Sequence, residues 1–350
     1  MAKRVIFSDL HFGDPACSLR RKPVTMGLQS FLAGLGTVEE IIFAGDILDA
    51  NIASLTQAIE GKKGSGSWPK QIGFRQWLAY LLKESAPVVG QIVYIPGNHD
   101  YIIWNILSTD IAFVQPISQG EVPKNLPLKE ETFPKPFIRG VAPLKVRDRF
   151  VVEYPDYLFD LAGRSVLVTH GHYLDEKQTL FKNLEALIEH ENGDEAKAVR
   201  NFFKFTAQYQ VLANAVSFMK NSREFIDKVH KRLSNFVDWF DIIGKLRNKP
   251  IDGRMLEAIE MYLYYFRKKK PDVFIFGHTH EAAHTTTASG KANKKRLISK
   301  NIDVWNDGCF IGDQNGKAGT FIVTDDKQRS DAQIKLYEVT TKGNVQEVSM

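Results

Sequence analysis

The sequence predicts an α/β fold interrupted by a helical insert, and three observations carry that expectation. Over the first hundred residues, short apolar runs alternate with segments of helical spacing. Residues 176–270 then hold only three glycines and one proline, and their apolar positions recur every three or four residues. From residue 271 onward β-prone runs return, separated by Gly, Asn and Asp.

Taken in order, residues 3–8 read as a buried strand around Val5-Ile6-Phe7. Met26, Phe31, Leu32 and Leu35 mark a short helix over 26–36, ended by Gly36. Ile41-Ile42-Phe43 form a second strand. Phe74, Trp77, Leu78, Leu81 and Leu82 share one face of a helix over 70–85, and residues 91–95 form a third strand. Strand, helix, strand, helix, strand in this order implies parallel strands joined by right-handed crossovers. Six prolines between Pro116 and Pro143 argue against long helices there. Residues 150–161 and 165–169 read as a strand pair turned at Gly163-Arg164. In the insert, Phe225, Val229, Leu233, Phe236, Phe240 and Ile243 step by four, four, three, four and three. The expected organisation is therefore a core of 1–172 and 271–350 with a helical cap over 173–270. A strand resumes at 271–276, and the runs at 310–311, 320–323 and 334–339 are expected as antiparallel strands of a second sheet.

Length and composition suit one large domain or a domain with a cap: 350 residues, 43% hydrophobic. The net charge of +5 favours an anionic substrate without implying nucleic acid. Two cysteines, Cys17 and Cys309, form neither a disulfide framework nor a Cys-x-x-Cys pair, which points to a reducing compartment. The N-terminus shows no secretory apolar region, and no stretch reaches the roughly 18 apolar residues of a membrane span. A cytoplasmic protein is the expectation.

Five polar clusters follow apolar strand-like runs: Asp9 with His11; Asp46 with Asp49; Asn98, His99 and Asp100; His170 with His172; His278 with His280. Six of the nine histidines fall in them, so the pattern is not a scatter of caps and turns. In open α/β sheets, functional groups gather at the C-terminal ends of strands. Asp9 and His11, two apart, point to one side if the extended backbone continues past the strand, and so suit one metal ion. The donors are carboxylate, amide and imidazole, without thiolate. That set favours an open catalytic site for Mn, Fe, Zn or Ni over a structural zinc site.

In these blocks the sequence resembles the calcineurin-like metallophosphoesterases, whose pattern is Asp-x-His, Gly-Asp-x-x-Asp, Gly-Asn-His-Asp/Glu, a lone His and Gly-His-x-His. All five stand here in order across residues 9–280. The resemblance implies a four-layer α/β/β/α sandwich and a hydrolase of phosphoric esters, most simply a phosphodiesterase with some phosphomonoesterase activity. It implies two divalent metal ions and a metal-bridged hydroxide as nucleophile. Asp9, His11 and His280 would hold the first ion, Asn98, His170 and His278 the second, and Asp46 both. His99 would protonate the leaving oxygen, oriented by Asp49. Asp100 would support the site or cap a helix starting at Tyr101, and His172 would contact substrate phosphate. An aromatic cap would suit a phosphoester carrying an apolar or acyl group. The insert is similar to that of UDP-diacylglucosamine hydrolases, but those have Arg where His99 stands and are shorter. The rival readings are a UDP-diacylglucosamine-type pyrophosphate hydrolase, a manganese-dependent nuclease of the same superfamily, which the basic loop at Lys291, Lys294, Lys295, Arg296 and Lys300 would suit, and a catalytically silent scaffold.

Overall fold

A computed structural model describes residues 2–49, 53–62, 68–69, 71–82, 89–100, 141–174, 251, 253–266, 270–287, 301–312, 316–328 and 333–349. The expectations for the proline-rich stretch up to residue 140, for the loop at 291–300 and for most of the helical cap lie outside these residues.

The first half runs β1 (Lys3–Phe7), α1 (Lys22–Leu35), β2 (Val38–Ala44), α2 (Leu55–Glu60), a short antiparallel pair β3 (Gly61–Lys62) and β4 (Gln71–Ile72), α3 (Phe74–Leu81) and β5 (Val89–Ile95). Then come β6 (Phe150–Val152), β7 (Asp156–Leu161), β8 (Arg164–Thr169), α4 (Gly253–Phe266), β9 (Val273–Phe276), β10 (Ala283–Thr286) and β11 (Asp303–Asn306). The last strands are β12 (Lys317–Asp325), β13 (Ile334–Thr340) and β14 (Val345–Val348).

One seven-stranded sheet has the order β14-β13-β12-β1-β2-β5-β6, and a five-stranded sheet has the order β10-β11-β9-β8-β7. β1, β2, β5 and β6 are parallel, as the strand–helix alternation predicts. The same holds for β8, β9 and β11. The strands alternate their side chains between two cores. Val5 and Phe7, with Ile41 and Phe43, face α1 and α3. Ile6, Ile42, Val93 and Ile95 face Val166, Val168, Val273 and Ile275 of the other sheet. On that sheet's other side, Tyr262 of α4 packs edge-on to Phe274 and donates its hydroxyl hydrogen to Asp156. This helix is the described end of the segment expected to form the cap.

Several expectations need correction. The runs at 320–323 and 334–339 do not build the second sheet. They lie in β12 and β13, which extend the first sheet antiparallel to β1. β12 is buried along almost its whole length, so it is an interior strand covering the otherwise free edge of β1. The run at 310–311 forms only an isolated bridge from Ile311 to Cys17. Residues 150–161 are two strands, β6 and β7, which join different sheets. The break falls at Pro155, which has no N–H to give a ladder. The first helix starts at Lys22 rather than 26, because Pro23 in its first turn sacrifices no helical hydrogen bond. The helix expected over 70–85 is shorter, since Gly73 is its N-cap and Gln71–Ile72 are spent in β4.

Candidate metal centre

In-register pairing brings the strand ends level. Phe7 pairs with Phe43 and Ala44 with Ile95 in the first sheet; Thr169 pairs with Phe276 and Phe276 with Asn306 in the second. Each polar cluster therefore leaves its sheet at the same height, and the two sets of loops bond across the gap. The His278 N–H donates to Asp9 Oδ2 (2.8 Å), and His170 Nδ1–H donates to the Ala44 carbonyl (3.0 Å). Two glycines make the approach feasible. A Cβ on Gly45, whose φ is +86°, would run into the His170 ring, and one on Gly97 would strike Asp46.

Asp9, His11, Asp46, His278 and His280 all have left-handed backbone, with φ between 49° and 68°. For side chains with a Cβ this costs on the order of 1–3 kcal/mol each. The conformation is held by backbone bonds: Asp9 N–H to Gly45 O (3.0 Å), His11 N–H to Asp46 O (2.8 Å), and Asp49 N–H to Phe12 O (2.8 Å). The convergence of Asp9 and His11 holds, but an extended backbone is not its cause. The chain turns left-handed at both residues.

Three groups of side chains have donor atoms close enough to hold a cation: Asp9, His11 and His280; His11, Asp46 and His99; Asp46, His170 and His278. Asp46 Oδ2 lies 3.3 Å from His170 Nε2, 3.7 Å from His11 Nε2 and 4.0 Å from His99 Nε2. Asp9 Oδ1 is 3.1 Å from His280 Nε2 and 3.7 Å from His11 Nε2. Asn98 Oδ1 is 3.0 Å from His170 Nε2. Asp9 Oδ1 and His11 Nε2 are buried atoms with no hydrogen-bond partner among the described residues. Buried polar atoms are rarely left so. A metal ion would satisfy both, so the donor set fits divalent metal.

The electrostatics of the protein alone agree. Burial pushes the Asp9, Asp46 and Asp49 carboxyls up, but the facing histidines outweigh it and hold all three below the usual carboxylate range. Burial lowers the His11 imidazole, yet Asp49, Asp9 and Asp46 raise it to about 10. Burial likewise lowers His170, and Asp46 with Asp9 raises it to about 9. Without metal, protons on these imidazoles balance the carboxylates.

Asp49 does more than expected of it. Its Oδ2 accepts from His99 Nδ1–H and also from His11 Nδ1–H, each at 3.1 Å. A carboxylate only accepts, so both rings carry the proton on Nδ1 and turn Nε2 toward Asp46. Asp100 also finds a place. It accepts from the backbone N–H of Gly97 and Ile47 and from the Tyr94 hydroxyl, clamping the second cluster to the third. Tyr101 lies outside the described residues. His172 is 1% exposed and packs against His170, and burial, with His170 and His278 beside it, holds its imidazole well below the usual value.

Sequence reasoning missed the loop after β11. Asn306 is fully buried and donates to the Gly277 carbonyl (2.9 Å) and to Thr279 Oγ1 (2.8 Å). Its Oδ1 accepts from the Gly308 N–H at 2.9 Å. Asp307 accepts from Ser8 Oγ at 2.7 Å, beside Asp9. These residues brace the loops of Asp9, His278 and His280. The available signal was Asn306-Asp307-Gly308 following the β-prone run Ile302-Asp303-Val304-Trp305.

The calcineurin-like phosphoesterase family pattern matches residues 2–282. The chain belongs to that family. Its chemistry is metal-dependent hydrolysis of phosphoesters, which the described donor groups fit. No curated protein matches the chain. Among solved structures, a conserved uncharacterized protein of Streptococcus pneumoniae, described as a predicted phosphoesterase, is 12% identical. That comparison covers 100% of this chain and 99% of the other, with a TM-score of 0.28. GAP50, the anchor in the inner membrane complex of Plasmodium, is 11% identical over 100% and 89% of the two chains, with a TM-score of 0.37. Among the described residues of this phosphoesterase, no helix is long and apolar enough to cross a membrane.

Proposed function

We propose that this phosphoesterase is a phosphodiesterase working with two divalent metal ions, Mn, Fe, Zn or Ni, held by Asp9, His11 and His280 on one side and Asn98, His170 and His278 on the other. The observation that carries the reading is the position of Asp46. It is shared by two cation-competent groups, and a third group meets one of these at His11. One carboxylate between two ligand sets is what a dinuclear centre needs. When bound, two such ions lower the pKa of water and neutralise phosphate oxygens in an in-line displacement.

The chain's own residues supply the rest. Asp49 fixes the tautomer and orientation of His11 and His99, so each presents Nε2 to the centre. His99, 9% exposed, sits beside the carboxylates without being needed to complete either ligand set. It is assigned to proton delivery to the leaving oxygen. His172 is assigned a supporting place against His170. Cys17 and Cys309 are both buried thiols without a bridge, which suits a reducing cytoplasmic setting. The substrate is a phosphoester, and the choice of an apolar or acyl substituent would fall to the segment between β8 and α4.

The test is hydrolysis of bis(4-nitrophenyl) phosphate and 4-nitrophenyl phosphate by protein reconstituted separately with Mn²⁺, Zn²⁺ and Mg²⁺. The expected result is metal-dependent turnover with the diester preferred. Preference for the monoester under every metal contradicts the diesterase assignment.

A further inference from the structure

A cavity of about 370 Å³ lies apart from the groups described above. Arg20, Arg21, Trp68, Pro69, Cys17 and Gly312 contribute to its lining, and none of the described lining residues is acidic. One residue connects it to the metal centre. Phe310 donates its N–H to the Asp9 carbonyl (3.1 Å), and its own carbonyl accepts from the Ser18 N–H (2.8 Å). The strip from Cys17 to Arg21 is thus two lateral backbone hydrogen bonds from Asp9, roughly 10 Å across.

The walls are held in place. Trp68 Nε1–H donates to the Arg20 carbonyl at 2.9 Å, and its ring packs on Tyr80 with centroids 5.0 Å apart. Ser18 Oγ donates to the Ala318 carbonyl at 2.6 Å, and Thr25 Oγ1 to the Leu19 carbonyl at 2.7 Å. Arg20 spends Nη1 on the Pro15 carbonyl (2.6 Å), while its buried Nε has no hydrogen-bond partner among the described residues. A guanidinium lining a cavity matches phosphate or carboxylate oxygens. An indole at its side offers a flat apolar face.

We propose that this cavity is a second anion subsite. It takes a phosphate or carboxylate that the substrate carries beyond its scissile phosphoester, with a planar or apolar linker against Trp68. The turnover arm of the test rests on the phosphodiesterase reading; the binding arm does not.

In the binding arm, the full chain stripped of metal with EDTA is titrated calorimetrically with thymidine 3′,5′-bisphosphate, with the 3′-hemisuccinate of thymidine 5′-phosphate, and with thymidine. The two anions separate phosphate from carboxylate as the preferred group. The bisphosphate or the hemisuccinate should bind and thymidine should not. The Arg20→Ala, Arg21→Ala double variant should lose at least tenfold in affinity with unchanged melting. Equal affinity of native protein and variant overturns the proposal. Should the double variant melt early, Arg20→Gln must show a loss on its own, and unchanged affinity there overturns the proposal equally. In the turnover arm, a 3′-phosphate on thymidine 5′-(4-nitrophenyl phosphate) should lower KM about tenfold in the Mn²⁺-loaded protein. That advantage should vanish in the double variant, while turnover of bis(4-nitrophenyl) phosphate stays within twofold. An advantage that survives the double substitution overturns the subsite. Arginine-dependent binding without hydrolysis of any ester supports the subsite and contradicts the phosphodiesterase reading instead.

Discussion

The loops after β1 and β2 bring the carboxylates Asp9, Asp46 and Asp49, each at most 1% exposed, whereas those after β8 and β9 bring the imidazoles His170, His278 and His280. The first set is fastened to neighbouring backbone. Asp46 Oδ1 accepts the His99 N–H at 2.8 Å, and Asp9 Oδ2 accepts the His278 N–H at the same distance. Within the second set, His278 and His280 are the less buried members, the His280 side chain being 10% exposed. Negative charge thus lies deep, where fixed N–H groups and imidazoles offset the cost of burying it. The imidazoles of the β9 loop lie on the less buried side. A phosphoester approaching from there would meet imidazoles before carboxylates.

That contrast predicts a ranking. Asp9→Asn should lower kcat/KM by about a thousandfold, roughly 4 kcal/mol. His280→Ala, on the less buried side, should cost less, and added imidazole should recover part of it. Steady-state kinetics of the two variants under one metal would compare them; equal losses would remove the distinction between the sheets. His99→Ala should keep its metal, measured by atomic emission, and lose about 10²–10³ in kcat. The loss should grow with the pKa of the leaving phenol, and a loss independent of the leaving group would refute proton delivery by His99.

Smaller effects come from the supporting loop and from protons. Asn306→Ala removes the bonds that hold Gly277 and Thr279. It should weaken metal binding by about 10-fold, the range seen for outer partners of metal ligands. Isothermal titration would read it, and native affinity would show that the β9 loop holds its shape unaided. In the metal-free protein His11 is raised to about 10 and His170 to about 9, so both carry protons at neutral pH. A metal must displace them. Affinity should therefore rise from pH 6 toward about 9–10, with protons released on binding. An affinity flat over that range would mean the imidazoles are already neutral or do not coordinate.

Much of this was legible in the chain. Alternating runs specify parallel strands because burial on both faces demands unbroken apolar sequence, as in Ile41-Ile42-Phe43. The five clusters are legible because their residue types are costly in any other setting. Pairing partners are not legible. The pattern over Thr320 to Val323 says strand, but whether it joins β1 or β11 depends on which edge the folded sheet leaves open. Asn306 escaped for a related reason. Its work is done by hydrogen bonds from its side-chain amide to Gly277 and Thr279 in a loop nearly thirty residues earlier, and an isolated Asn-Asp-Gly reads as an ordinary turn. Asp49 was legible in part: its bond to His99 is what the family resemblance implies, but the second bond, to His11, requires the left-handed turns at Asp9 and His11.

The central claim is that Asp46 is shared between two metal ions. Elemental analysis of native protein and Asp46→Asn, each reconstituted with Mn²⁺ and passed over a desalting column, tests it directly. Two ions per native chain, falling to one or none in the variant together with loss of diester hydrolysis, is the predicted result. A single ion in the native chain, or an unchanged metal count with activity retained in the variant, would contradict it.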